Sequence, residues 1–113
     1  MEEIKPRYTF AEYHAERMAA QGQAHNQRDQ LSVGALGLAG EAGEVIELIK
    51  KHLYHGKDLP ADKLLLELGD VLWYVTYTAD ALGLTLEDVA KANNEKLRAR
   101  YPQGFSVAEA AKL

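Results

Sequence analysis

The stretch from Ala61 to Leu82 constrains the fold more than any other part of the chain. Leu64, Leu65, Leu68, Val71, Leu72, Val75, Ala79 and Leu82 recur at steps of three and four or their sums, the period of a helix. Leu66, Trp73 and Tyr77 add to them and leave only a narrow polar arc. A surface helix needs an apolar arc of little more than ~100°, whereas one apolar nearly all round is buried from several sides. The rest of the chain, or a second copy of it, must therefore surround this segment.

Helix punctuation places the other elements. Asp58-Leu59-Pro60 opens the apolar segment and Gly83 stops it. Upstream, Leu31, Leu38, Val45, Ile49 and Leu53 predict a long helix from near Ser32 to Gly56. Lys50, Lys51, His52 and His55 crowd its negative end, and Gly56 suits a left-handed terminus. Downstream, Thr85-Leu86-Glu87-Asp88 is a cap, with Leu84 and Val89 as its staple, for a helix reaching Arg100 or Tyr101 before Pro102. Thr9-Phe10-Ala11-Glu12 reads as a capping box, with Tyr8 and Tyr13 in staple positions, for a first helix ending near Gln21 or Gly22. That helix has a weak apolar face. Residues 23–30 are polar and aperiodic and read as a loop. Ser106-Val107-Ala108-Glu109 caps a short terminal turn. With no repeat and no strand pattern, the expectation is an all-α, four-helix bundle-like fold in a single domain over residues 1–113.

Charge and composition narrow the function. Thirteen basic against seventeen acidic side chains leave a net charge of −4, which argues against binding a nucleic acid polymer. No apolar run approaches the ~20 residues that span a bilayer. Met1-Glu2-Glu3-Ile4-Lys5-Pro6 carries acids before any apolar stretch, unlike a secretory signal. The absence of cysteine excludes disulfides, thiolate metal sites and cysteine nucleophiles. A cytoplasmic location is expected.

The chemistry lies in two paired carboxylates. Glu41-Ala42-Gly43-Glu44 on the second helix and Glu67-Leu68-Gly69-Asp70 on the third each place two acids a turn apart on one face. If these helices pack antiparallel, four carboxylates converge, and such a set requires protons or cations. Oxygen ligands without Cys or His suit Mg²⁺ or Mn²⁺ shared with substrate phosphates. The simpler alternative is two solvated faces, with Glu47 pairing to Lys50 or Lys51. Two features favour convergence. Gly34, Gly37, Gly40 and Gly43 fall every third residue, and each internal glycine costs roughly 0.5–1 kcal/mol relative to alanine. A helix carrying that cost needs bare backbone for close helix approach or for a ligand, unless residues 33–40 are an irregular loop. Glu67 and Asp70 also border the apolar stripe rather than opposing it.

On the fourth helix Asn93 falls in phase with Leu86, Val89, Ala90 and Leu97, so its amide needs hydrogen-bond partners. Lys96 and Arg100 follow along a neighbouring line, as phosphate ligands or as simple helix-end cations. Tyr74 and Tyr77 extend the Glu67–Asp70 line and suit base stacking or, with Trp73, packing. Glu-x-x-His does not occur, and the glycine run follows no strand and precedes no Gly-Lys-Ser/Thr, so di-iron and P-loop chemistry are excluded.

Gly40-Glu41-Ala42-Gly43-Glu44-Val45, Glu67-Leu68-Gly69-Asp70-Val71-Leu72-Trp73-Tyr74 and Asn93-Asn94-Glu95-Lys96-Leu97-Arg98-Ala99-Arg100-Tyr101-Pro102, in this order, resemble the MazG-like all-α nucleoside triphosphate pyrophosphohydrolases over residues 31–105. The resemblance implies Mg²⁺-dependent hydrolysis of a nucleoside triphosphate to monophosphate and pyrophosphate, as in house-cleaning of the nucleotide pool. Its metal acids fall on Glu41, Glu44, Glu67 and Asp70. Glu41 or Glu44, with more carboxylate neighbours (Glu47 included) to raise a pKa, is the expected general base. Its C-terminal polar residues fall on Asn93, Lys96 and Arg100, the two cations stabilising the leaving pyrophosphate. Gly40 departs from relatives that carry another Glu there. Homodimers or homotetramers are implied as well. The alternative of a different class is a non-catalytic helical module that binds nucleotides or a protein.

Overall fold

A computed structural model describes residues 7–22 and 26–112 of the chain. Among these, five helices follow in order: α1 (Phe10–Ala20), α2 (Gln27–Tyr54), α3 (Ala61–Asp80), α4 (Leu86–Arg100) and α5 (Val107–Ala110). The fold is all-α, as the periodicity predicts. The N-terminal hexapeptide without signal character, and residues 23–25 of the expected loop, lie outside the described residues. No helix among the described residues is long and apolar enough to cross a membrane.

The frame is an antiparallel α2–α3 hairpin, and glycine sets its register. A methyl group on Gly34 would fall inside the Thr78 hydroxyl, and one on Gly37 inside the ring of Tyr74. Bare backbone at these two positions lets the helices approach closely. The irregular-loop alternative for residues 33–40 is thereby overturned, because α2 runs unbroken through all four glycines. Gly40 and Gly43 face open space.

α2 begins at Gln27, not near Ser32, so the loop expected at residues 23–30 is wrong for its second half. Asn26 caps it, accepting from the Asp29 amide at 2.8 Å. Gln27 and Gln30 donate from Nε2 to the carbonyls of Ala81 and Tyr77 at 3.0 and 2.9 Å. Their polarity serves the acceptors that the end of α3 would otherwise leave open. At the far end Gly56 adopts φ +67°, the left-handed conformation expected of it.

α1 is half as predicted. Thr9 Oγ1 accepts from the Glu12 amide at 3.1 Å, but its hydroxyl lies 3.2 Å from Glu12 Oε1 and donates there, in place of the reciprocal backbone bond. Tyr8 turns its hydroxyl to Glu16 Oε2 at 2.7 Å. A cation, not an apolar stripe, docks this helix. Arg17 is 1% exposed, with Asp80 Oδ2 at 3.4 Å, Gln21 Oε1 at 2.7 Å and the Trp73 ring centroid at 5.9 Å. A buried guanidinium over indole is favourable when partly desolvated, and the nearby carboxylate limits its burial cost.

α4 carries the full capping box, with Thr85 N donating to Asp88 Oδ2 at 2.9 Å and Asp88 N to Thr85 Oγ1 at 3.1 Å. Beyond it, residues 90–100 are all exposed. Ser106 caps α5 by accepting from the Glu109 amide at 3.1 Å. The chain as a whole is open. It exposes 9045 Å², where a monomer of 12.5 kDa is expected to expose about 6,200 Å². Its radius of gyration is 17.7 Å, against about 13 Å for a compact domain of this length. Leu36, Leu65 and Leu66 are 73%, 68% and 70% exposed. In one chain, therefore, the apolar α3 helix is covered on one side and bare on another.

Candidate active site

The register that brings Gly37 against Tyr74 sets Glu41, one turn further along α2, beside the acids of α3. Carboxylate oxygens of Glu41, Glu67 and Asp70 lie within 4.8 Å of one another. Glu41 and Glu67 are half-buried and Asp70 is exposed. The Glu41 carboxyl is raised above its ordinary pKa, first by desolvation, then by a hydrogen bond shared with Glu67, then by the charges of Asp70, Glu67 and Glu44. This donor set is hard oxygen throughout, and among the described residues no cation pairs with it, which suits a small divalent ion.

Of the four expected metal acids, three converge and Glu44 stands beside them. It lies a turn beyond Glu41 on α2, close enough for its charge to act on Glu41 but outside the cluster. Glu47 turns elsewhere. It pairs with Lys50 Nζ at 2.9 Å and Lys51 Nζ at 3.8 Å, and the Lys50 hydrogen bond holds its carboxyl below the usual range. The neighbouring charges that raise Glu41 thus include Glu44 but not Glu47.

The structure does not bring the α4 residues to these acids. Asn93 and Lys96 line an apolar groove of about 590 Å³ with Leu84, Leu86 and Val89, and none of the clustered carboxylates borders it. The Asn93 amide, expected on a buried face, is exposed. Among the described residues neither Lys96 nor Arg100 forms an ion pair with the acids. The Tyr74 ring packs on Gly37, Tyr77 is 5% exposed, and Trp73 lies under Arg17. Packing occupies all three aromatic side chains. His52 donates from Nδ1 to the Lys57 carbonyl at 2.8 Å, a helix-end role.

One residue near the site escaped sequence reasoning. Tyr13, assigned only a staple, buries its hydroxyl beside Thr76. Burial raises its pKa, the charge of Arg17 and a hydrogen bond with Thr76 oppose the rise, and the Asp70 charge adds to it.

Comparison with known proteins decides the family. Residues 31–105 match the MazG nucleotide pyrophosphohydrolase domain. The chain belongs to the MazG family. It is 40% identical over 78 residues to the Gene 37 protein of Mycobacterium phage L5, covering 66% of this chain and 68% of that one. It is 36% identical over 74 residues to the Uncharacterized protein YvdC of Bacillus subtilis (strain 168), covering 57% of this chain and 69% of that one. No solved structure matches the chain with comparable significance. The matched region holds both acid pairs and the whole of α4. α1, with Tyr13 and Arg17, lies before it.

Proposed function

We propose that the protein is a Mg²⁺-dependent nucleoside triphosphate pyrophosphohydrolase that clears unwanted nucleotides in the cytoplasm. The observation that carries this is the cluster of Glu41, Glu67 and Asp70, whose oxygens lie within 4.8 Å of one another, inside a MazG domain. Three carboxylates at that separation repel unless a proton or a cation joins them. The raised Glu41 carboxyl marks the same shortage of positive charge.

A divalent ion held by these three acids would neutralise phosphate charge and act as a Lewis acid. Glu44, outside the cluster and exposed, accepts the proton of the attacking water. The water oxygen bonds to phosphorus as the phosphorus–oxygen bond between the α- and β-phosphates breaks. Monophosphate and pyrophosphate leave. Lys96 and Arg100, which a single chain leaves apart from its acids, would stabilise charge on the departing pyrophosphate, and Asn93 would hydrogen-bond the same substrate, once assembly or substrate binding brings α4 to the site.

A homo-oligomer, dimer or tetramer, is part of the same proposal. The chain exposes about 2,900 Å² more than the size of a monomer predicts. Obligate interfaces bury about 1,000–2,500 Å² or more on each partner, so an excess of this size on one chain is ample for one. Leu65, Leu66 and Leu36 lie on the bare side, and two-fold pairing is the common solution.

Pyrophosphate release from a panel of nucleoside triphosphates tests the reading. Release that requires Mg²⁺ or Mn²⁺ supports it. Binding without turnover across the whole panel would replace it with a non-catalytic nucleotide-binding module.

A further inference from the structure

α1 is docked by polar contacts rather than by apolar burial. Arg17 is its only buried residue, and Phe10 and Met18 stand exposed. Several partners of that guanidinium belong to α1 and its C-terminal cap. Nη1 donates to Gln21 Oε1 at 2.7 Å, and Nη2 faces His14 Nδ1 at 3.4 Å and Met18 Sδ at 3.5 Å. On α3 it meets the Asp80 carboxylate at 3.4 Å and the Trp73 ring. Its Nε is buried without a hydrogen-bond partner among the described residues. Tyr13, hydrogen-bonded to Thr76, adds one more polar contact to α3. A cavity of about 180 Å³ lies between Phe10 and His14 on one side and Thr76 and Leu86 on the other, where close-packed helices leave few voids larger than a water molecule.

Contacts of this kind open easily. A hydrogen bond or ion pair that breaks is exchanged for water, and a buried guanidinium regains its hydration, the orphan N–H included. Segments with few buried apolar contacts open locally with far less free energy than the whole domain needs to unfold. The α2–α3 hairpin has no such freedom, because Gly34 and Gly37 seat it on Thr78 and Tyr74. A hinge is present as well. Gly22, which follows the α1 cap, has φ +76° and open space around it, a conformation that glycine adopts without strain. What α1 covers is the turn of α3 next to the acids: Trp73 lies one turn beyond Asp70, and Tyr13 is close enough to feel the charge of Asp70. We propose that α1 is a hinged strap, latched on α3 by Arg17, that lifts from the turn beyond Asp70 to admit the triphosphate and docks again once it is bound. The opening stands on the contacts of α1 alone, and the triphosphate rests on the hydrolase reading.

Trp73 is the only tryptophan, so acrylamide quenching of its fluorescence reads the latch, and amide hydrogen exchange reads the helix. In the protein free of metal and nucleotide, α1 amides should exchange about a hundredfold faster than those of Val71 to Tyr77, relative to their intrinsic rates. Arg17→Gln should speed α1 exchange about tenfold further and roughly double the quenching of Trp73, leaving α2 and α3 amides within about twofold. Equal protection of α1 and α3 in the wild type, or a loss spread evenly over α2 and α3 in the variant, would overturn the strap whatever the chain hydrolyses. Should Arg17→Gln not fold, Asp80→Asn removes the same ion pair at nearly constant volume and is read in the same way. In a second arm, Mg²⁺ is added with a nucleoside triphosphate whose α–β bridging oxygen is replaced by methylene. Closure should slow α1 exchange about tenfold and reduce the quenching of Trp73. Binding that shifts the Glu67 and Asp70 amides but leaves α1 exchange unchanged overturns the strap and leaves the hydrolase reading intact. Absence of any binding refutes the hydrolase reading, and with it the triphosphate as the strap's ligand, while the first arm still decides whether α1 opens.

Discussion

Gly37→Ala and Gly40→Ala make the same chemical change three residues apart on α2, with opposite expected outcomes. Both lie inside the helix, and helix propensity alone favours each alanine by about 0.5–1 kcal/mol. At Gly40 the new methyl meets nothing within 4 Å, so the propensity gain stands. At Gly37 it falls inside contact distance of three atoms of the Tyr74 ring, Cε1, Cδ1 and Cζ. The ring must swing away or the helices must part, and overpacking of this kind costs about 1–3 kcal/mol. Net, Gly37→Ala should lose about 1–2 kcal/mol. For a domain of this size that is a fall in Tm of ~4–8 °C, against a rise of ~2–4 °C for Gly40→Ala. Thermal unfolding followed by circular dichroism at one protein concentration measures both, because assembly would make Tm concentration-dependent. Equal or reversed Tm values would refute the claim that glycine sets the α2–α3 spacing.

Asp70→Asn and Glu67→Gln should each reduce pyrophosphate release by at least a hundredfold while circular dichroism stays unchanged; near-normal Mg²⁺-dependent turnover in either would remove the acids from the site. Lys96→Ala should raise KM or lower kcat without altering Mg²⁺ affinity of the free protein, whereas a plain helix-end cation would cost ~0.3–1 kcal/mol of stability and no activity. In metal-free protein, Glu41 binds its proton more tightly folded than unfolded, so its contribution to stability falls as pH rises from the ordinary carboxylate range through its raised pKa. Glu47 and Asp88, both lowered, contribute stability that is lost in the opposite direction, as pH falls through their folded values. The informative quantity is thus the difference in urea midpoint between wild type and Glu41→Gln. The variant should gain relative stability as pH rises, and saturating Mg²⁺ should reverse the order. Light scattering on a size-exclusion peak should give a multiple of 12.5 kDa, and a single-chain mass at micromolar concentration would end the oligomer proposal.

Elements whose signals are local were legible in the sequence. Thr85 and Asp88 cap α4 because two side chains three residues apart need nothing else. The apolar period of α3 survives because burial on most sides leaves few polar positions to blur it. The start of α2 was not legible, because Gln27 and Gln30 resemble loop residues until the carbonyls of Tyr77 and Ala81 come into view more than forty residues away. Arg17 was invisible for a related reason, since a lone arginine in a weakly amphipathic helix looks solvated. Only the tertiary fold supplies Asp80 and Trp73. At the site, helical spacing alone paired Glu41 with Glu44 and Glu67 with Asp70. Which three of those acids meet depends on how α2 is rotated against α3, and no spacing within one helix contains that angle.

That rotation is fixed by packing and opposed by charge. Gly34 against Thr78 and Gly37 against Tyr74 bring the backbones together on one side of the acids, and the carboxylates must follow whatever separation those contacts impose. Without a cation, Glu41 keeps its proton to higher pH than a free carboxyl, through desolvation first and the hydrogen bond with Glu67 second. A cation competes with that proton, so affinity for the metal should rise with pH over the range in which Glu41 loses it. The stability cost of crowded carboxylates and the affinity for a divalent ion are then two expressions of one geometry. A change that widens the α2–α3 gap, such as Gly37→Ala, should weaken both: less relief on adding Mg²⁺, and weaker Mg²⁺ binding. If Mg²⁺ affinity is unchanged in a Gly37→Ala protein whose stability has fallen, the acids do not take their spacing from the glycines, and the link between fold and site fails at that step.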